Sequence, residues 1–192
     1  MSGVPTAAVA RPWGRVATFF LALIALLGGQ SAGLLALTWY YGQSLRDLPN
    51  LSGDGIAVTL IIFVSTAVQV ALLAFFVRMR GADIADYLAL RMPRRADVVV
   101  GVAVIVAFIV IGNGLSFMLG RNIVTDFQAD ILRTASAAGW AIPLLIAVVL
   151  ITPVSEELLF RGFLFPGWLR TPRDTWPVIV ITALLFAAMH VQ

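Results

Sequence analysis

Residues 140–169 read WAIPLLIAVVLITPVSEELLFRGFLFPGWL, and the only charged residues in this run are Glu156, Glu157 and Arg161. A helix needs about 20 predominantly apolar residues to cross the hydrocarbon core of a bilayer, so the run is long enough to span. Working outward, further apolar stretches lie at 16–41, 56–77 and 98–119 before it and at 176–192 after it. The pattern predicts an all-α fold: a polytopic transmembrane helical bundle of about five spans, forming one integral-membrane domain over residues 1–192. Composition agrees, because 60% of the chain is hydrophobic and 12% is charged, against about 25% charged in an ordinary soluble domain. The first stretch follows Arg11 and Arg15. It is longer than a signal-peptide core and has no small-residue cleavage pattern after a short core, so it reads as a retained span.

All 13 basic residues are Arg, and the chain has no Cys and one His. Disulfide frameworks, zinc–thiolate sites and cysteine nucleophiles are therefore excluded. The net charge of +3 does not indicate a nucleic-acid partner, since the Arg residues flank apolar blocks instead of forming one basic run. Arg11, Arg15, Arg78, Arg80, Arg91, Arg94, Arg95, Arg170 and Arg173 fall on one side of the predicted bundle, and Arg46, Arg121 and Arg133 on the other. The excess on the first side predicts a cytoplasmic N-terminus.

Two connections have helical pattern of their own. In 82–92 the apolar Ile84, Leu88 and Met92 recur every four residues, which predicts a short interfacial helix, and Ile123, Val124, Phe127 and Ile131 do the same on the opposite side. Gly28, Gly29 and Gly33 in the first span point to close helix approach or a local break. Asn113, between Gly112 and Gly114, reads as an interhelical hydrogen-bonding residue.

Both Glu residues and the single His of the chain fall inside predicted spans. An ionisable side chain there costs at least about 2.5 kcal/mol on insertion scales, which makes it a functional candidate. Glu157 and Arg161 stand four apart on one helical face and can form an ion pair, whereas Glu156 is rotated by about 100° and has no share in it. That leaves Glu156 available as a general base, able to take a proton from water and return it to a leaving amine. Pro153 lacks an N–H, frees the carbonyl of Val149 and predicts a kink one turn before Glu156. From Glu156 to Leu169, and from Pro177 to His190, the chain advances by the same 13 positions, about 20 Å of helix. An antiparallel hairpin would therefore place Glu156 and His190 at one depth.

Glu156, Glu157 and Arg161 match an E-E-x-x-x-R motif, and Phe186 with His190 an F-x-x-x-H motif, on successive spans. In these motifs the last 50 or so residues resemble the CAAX protease and bacteriocin-processing family of intramembrane proteases, also called the Abi family. The segment Leu88, Ala89, Leu90, Arg91 before Pro93 is similar to one that many members carry between earlier spans. The resemblance implies a glutamate-type, metal-independent endopeptidase with no cofactor. Glu156 and His190 would activate water, the Glu157–Arg161 ion pair would support them, and Phe186 would back the His.

The partners implied are a peptide or protein substrate, in one version membrane-anchored, and membrane lipid, with no oligomeric state indicated. The absence of Lys beside abundant Ala, Val, Gly and Arg fits a GC-rich bacterial genome, and so a multi-pass protein of a bacterial cytoplasmic membrane with a non-prenyl substrate. The family's third motif, H-x-x-x-N or H-x-x-x-D, has no counterpart up to Gln192. The domain therefore reads as incomplete at its C-terminus: a further apolar span bearing that motif is expected after residue 192, and the 192-residue chain alone is expected to hydrolyse nothing. Two rival classes are a proton-coupled transporter component, which also uses buried Glu, His and Arg, and a non-catalytic bacteriocin-immunity or scaffold protein. Zinc held by Glu156, Glu157 and His190 is disfavoured, because there is no H-E-x-x-H pair and only one imidazole.

Overall fold

The computed structural model describes residues 13–120 and 124–190, so Arg11, Arg121, Ile123 and the end of the last predicted stretch at Gln192 lie outside the described residues. The described chain is all-helical. Its helices are α1 (Arg15–Tyr41), α2 (Gly55–Met79), α3 (Ile84–Tyr87), α4 (Arg95–Met118), α5 (Asp126–Ala137), α6 (Ala141–Trp168) and α7 (Thr175–Ala188). By length and composition α1, α2, α4 and α6 are able to cross a membrane. The fifth predicted span appears as α7, 14 residues long, or about 21 Å.

Local chemistry sets most helix ends. Asp54 caps α2 by accepting from the amides of Ile56 and Ala57, and it also receives the Tyr41 hydroxyl at 2.7 Å. Thr125 and Gln128 form a reciprocal capping box at the start of α5. Gly42, at φ +62°, closes α1 in the left-handed region where a side chain would be strained.

The long α1–α2 pair is the foundation of the bundle, and its glycines make it. A Cβ on Gly29 would collide with the backbone carbonyl of Ser65, and one on Gly33 with the Ser65 side chain. The helices touch backbone to backbone there, and α1 runs unbroken, so the glycines serve close approach and not a break. α6 lies against this pair. Leu73 and Val77 of α2, Tyr87 and Leu88, and Leu159, Phe163 and Leu164 of α6 form one buried core.

The connections sort into two ends, as the Arg distribution predicts. At one end the Trp13 indole donates to the Phe76 carbonyl at 3.1 Å, the Arg80 guanidinium sits 4.4 Å over the Trp13 ring, and Arg170 donates to the Trp13 carbonyl at 2.9 Å. Arg15 and Trp168 exchange side-chain to backbone hydrogen bonds at 3.1 and 2.9 Å, and Arg15 pairs with Asp174 at 2.9 Å. At the other end Thr134 of α5 accepts from the Gly55 amide at 2.8 Å, and Ile131 and Ala135 fill the space a Cβ on Gly55 would need.

The backbone amide of Thr171, joined by the Thr171 hydroxyl, the Arg170 amide and Arg15, holds the Asp174 carboxylate below its usual value. A carboxylate lowered in the folded state contributes stability that is fully present above the unfolded-state value, about 3.9, and is lost as pH falls through the folded value. Melts of the purified protein between pH 6 and pH 3 should therefore show an acid-side loss of stability that is smaller in Asp174→Asn. An identical acid limb in both proteins would refute this role.

Two expectations are corrected, and a third is realised in part. The helix expected over 82–92 is the single turn α3, ended by Ala89 at φ +52°. Leu88 is buried and Ile84 packs on the core, but Met92 is 96% exposed because the apolar period is broken at that turn. On the opposite side the expected amphipathic helix is present as α5, with Ile131 buried and Val124 and Phe127 exposed. Asn113 makes no interhelical bond among the described residues: α4 buries none of its residues, and nothing lies within 4 Å of a Cβ on Gly112 or Gly114. An apolar helix on the outside of a bundle meets lipid all round and presents no protein partner to an amide.

Candidate active site

The site is built on α6, which is not a uniform α-helix. Two π-helical stretches, Ala147–Ile151 and Leu158–Leu164, flank the α-helical turn Thr152–Glu157 that bears both glutamates. The Thr152 amide donates to the Ala147 carbonyl and the Phe165 amide to the Phe160 carbonyl, each five residues back. Each of those donors immediately precedes a proline, Pro153 and Pro166. A proline inside a helix lacks a donor and its ring clashes with the carbonyl four residues earlier, and a widened turn relieves both. A π-helical turn thus precedes Pro153, a feature frequent at functional sites.

The Glu157–Arg161 pair forms at 2.9 Å, in helical i, i+4 register. It lies on the outer face of α6, with side chains 55% and 78% exposed, and not in the protein interior. Glu156 turns toward α7. Its Oε1 lies 3.4 Å from Nε2 of His190, so the depth match read from the two helix lengths is realised in space.

The F-x-x-x-H spacing has a geometric basis. One turn before His190, Phe186 contributes its carbonyl, 2.8 Å from the imidazole Nδ1, and its ring, with a centroid 4.4 Å from the imidazole. A carbonyl only accepts, so this contact places a proton on Nδ1 and leaves Nε2 as the nitrogen that faces Glu156. The Phe186 ring in turn packs edge-on against Phe160 of α6, centroids 5.4 Å apart. Phe160 is buried and ties the two helices together exactly one helical turn beyond Glu156. Sequence reasoning passed over Phe160 as an unspecified position of the first motif, although its i+4 spacing from Glu156 was available.

Glu156, Glu157, Phe160, Arg161 and Phe186 line a cavity of about 660 Å³ between α6 and α7, closed at its sides by Pro153, Phe165, Ile179 and Thr182. Its size is within the range of small-ligand sites. Aromatic and aliphatic walls carry a carboxylate, a guanidinium and a hydroxyl, a combination suited to an extended peptide segment. Among the described residues, no group of three His, Asp or Glu side chains gathers as a metal site, and Glu157 faces Arg161 instead of His190.

Fold and site together define a multi-pass helical membrane protein with a Glu–His contact between α6 and the end of α7. Residues 138–192 match the family model of the type II CAAX prenyl endopeptidase Rce1-like family, a protease family within the CAAX protease and bacteriocin-processing group. The matched segment runs through α6 and α7 and contains both motifs, so the resemblance read from them stands for that part of the chain. No curated protein and no solved structure matches the chain.

Proposed function

We propose that the protein is an intramembrane endopeptidase of the CAAX-protease and bacteriocin-processing type, in a bacterial cytoplasmic membrane with its N-terminus in the cytoplasm. One observation carries the reading: Glu156, on the wall of a cavity of about 660 Å³, meets His190, just past the end of α7, at 3.4 Å. With Nδ1 donating to the Phe186 carbonyl, Nε2 of His190 and the carboxylate of Glu156 face each other as the two groups able to accept from water. A water molecule can donate one hydrogen to each, which aims its lone pair away from both and toward a bound peptide. As its oxygen adds to the carbonyl carbon, Glu156 takes the proton and then delivers it to the amine nitrogen as the C–N bond breaks. The Glu157–Arg161 pair on the same wall holds the Arg161 guanidinium in place beside the peptide.

The chemistry needs no metal ion. The test uses the native protein in bilayer vesicles and two internally quenched peptides, one ending in a farnesylated Cys-Ala-Ala-X sequence and one unprenylated. Cleavage of the unprenylated peptide at a rate unchanged by 1,10-phenanthroline is the expected result. Cleavage that stops with the chelator and returns with zinc would reject the glutamate-type mechanism. Uptake of a solute driven by a proton gradient, with neither peptide cut, would favour the transporter class instead.

A further inference from the structure

Glu156 has a second face. Behind it, on the α1–α2 side, lies a smaller cavity of about 130 Å³ whose polar lining comes from Gln30, Ser65, Thr66, Gln69, Thr152 and Ser155. Ser65, Thr66 and Gln69 occupy positions i, i+1 and i+4 of α2, so an otherwise apolar helix turns one polar patch toward the glutamate turn of α6. Gln69 is 5% exposed, and its Nε2 donates to the Ser155 carbonyl at 3.2 Å, next to Glu156. Ser65 is also 5% exposed, with its Oγ packed against Gly33 of α1. Buried hydroxyls are nearly always hydrogen-bonded, and a cavity that is polar and has room for a water molecule takes up water, where an apolar one stays dry. Glu156 and Phe160 line both cavities, so the carboxylate forms part of the partition between them.

We propose that the smaller cavity is a water chamber that supplies the hydrolytic water to Glu156 from the α1–α2 side, while the peptide occupies the larger cavity on the other side. This rests on the endopeptidase reading. Water held there passes to Glu156; its oxygen bonds to the peptide carbonyl carbon, and the displaced proton ends on the amine product, so no other reactant is required. A bound peptide filling the larger cavity would otherwise seal the carboxylate from water.

The chain has no cysteine, so a single introduced thiol reports its own surroundings. In the native protein in bilayer vesicles, Thr66→Cys should react with a small charged methanethiosulfonate at least about tenfold faster than Leu73→Cys in the apolar core or Phe63→Cys on the outer face of α2, because thiol reactivity follows access to water. Thr152→Cys, on the opposite wall, should react like Thr66→Cys and serves where the first variant folds poorly. Rates at both positions no faster than at Leu73 would overturn the chamber. This labelling requires no turnover, so it stands or falls separately from the peptidase reading. In the cleaving protein, Thr66→Leu, which fills the chamber, should lower kcat about tenfold at unchanged KM, the split expected when water supply and not peptide binding is impaired. A wild-type kcat in Thr66→Leu would overturn the supply role.

Discussion

On the proposed mechanism, replacing Glu156 with Gln in the native protein should lower peptide cleavage by about 10³-fold, the range of general acid–base catalysis, while membrane insertion and thermal stability should stay at wild-type levels. Gln keeps the shape of the side chain and its place on the cavity wall but is unable to accept the proton of the attacking water. His190→Ala should fall to a similar level, because in the proposed mechanism the imidazole nitrogen 3.4 Å from Glu156 orients the same water. The two residues act on one molecule, so the double variant should be no slower than the slower single variant. Cleavage is to be followed with the quenched peptides at saturating substrate. Retention of more than about a tenth of the rate in Glu156→Gln would remove the glutamate from the role of base.

The second large effect is on folding. Gly29→Val should destabilise the bundle by about 3 kcal/mol, the upper part of the usual range for overpacking a tight core, read as a drop in melting temperature of the purified protein in detergent. The added Cβ meets the Ser65 carbonyl, which belongs to the α2 backbone, so it cannot be relieved by a rotamer change. Gly101→Val, on the outer helix α4 with nothing within 4 Å of its Cβ, should leave the melting temperature unchanged. Equal melting temperatures for the two variants would show that α1 and α2 do not rely on this contact.

The same close approach connects folding to the site. With α1 and α2 held together at Gly29 and Gly33, Gln69 reaches the Ser155 carbonyl and the core residues Leu73 and Val77 receive Phe163. Widening the pair would shift the turn that carries Glu156 relative to α7, and a 3.4 Å Glu–His contact has little tolerance for that. Gly29→Val should for this reason lose cleavage together with stability.

The all-helical fold, its spans and the i, i+4 contacts of the two motifs were legible in the order of residues alone. Apolar length is a one-dimensional property, since a bilayer selects helices by their own hydropathy before they meet any neighbour. Arg placement is likewise read connection by connection, and Trp13, Arg15, Arg80 and Arg170 do converge at one end. The Glu157–Arg161 pair and the Phe186–His190 stack are both i, i+4 contacts within one helix, which the 3.6-residue repeat dictates. What tertiary structure decided depends on pieces of chain far apart in sequence or on a change of the repeat itself. The π-bulges before Pro153 and Pro166 alter the phase of α6, so a regular helical wheel does not tell which side of Glu156 meets α7 and which meets α2. The one-turn α3, the lipid-facing Asn113 and the polar chamber of Ser65, Thr66 and Gln69 follow from which helix lies beside which, and helix pairing inside a membrane rests on shape and on a few polar contacts instead of on hydropathy.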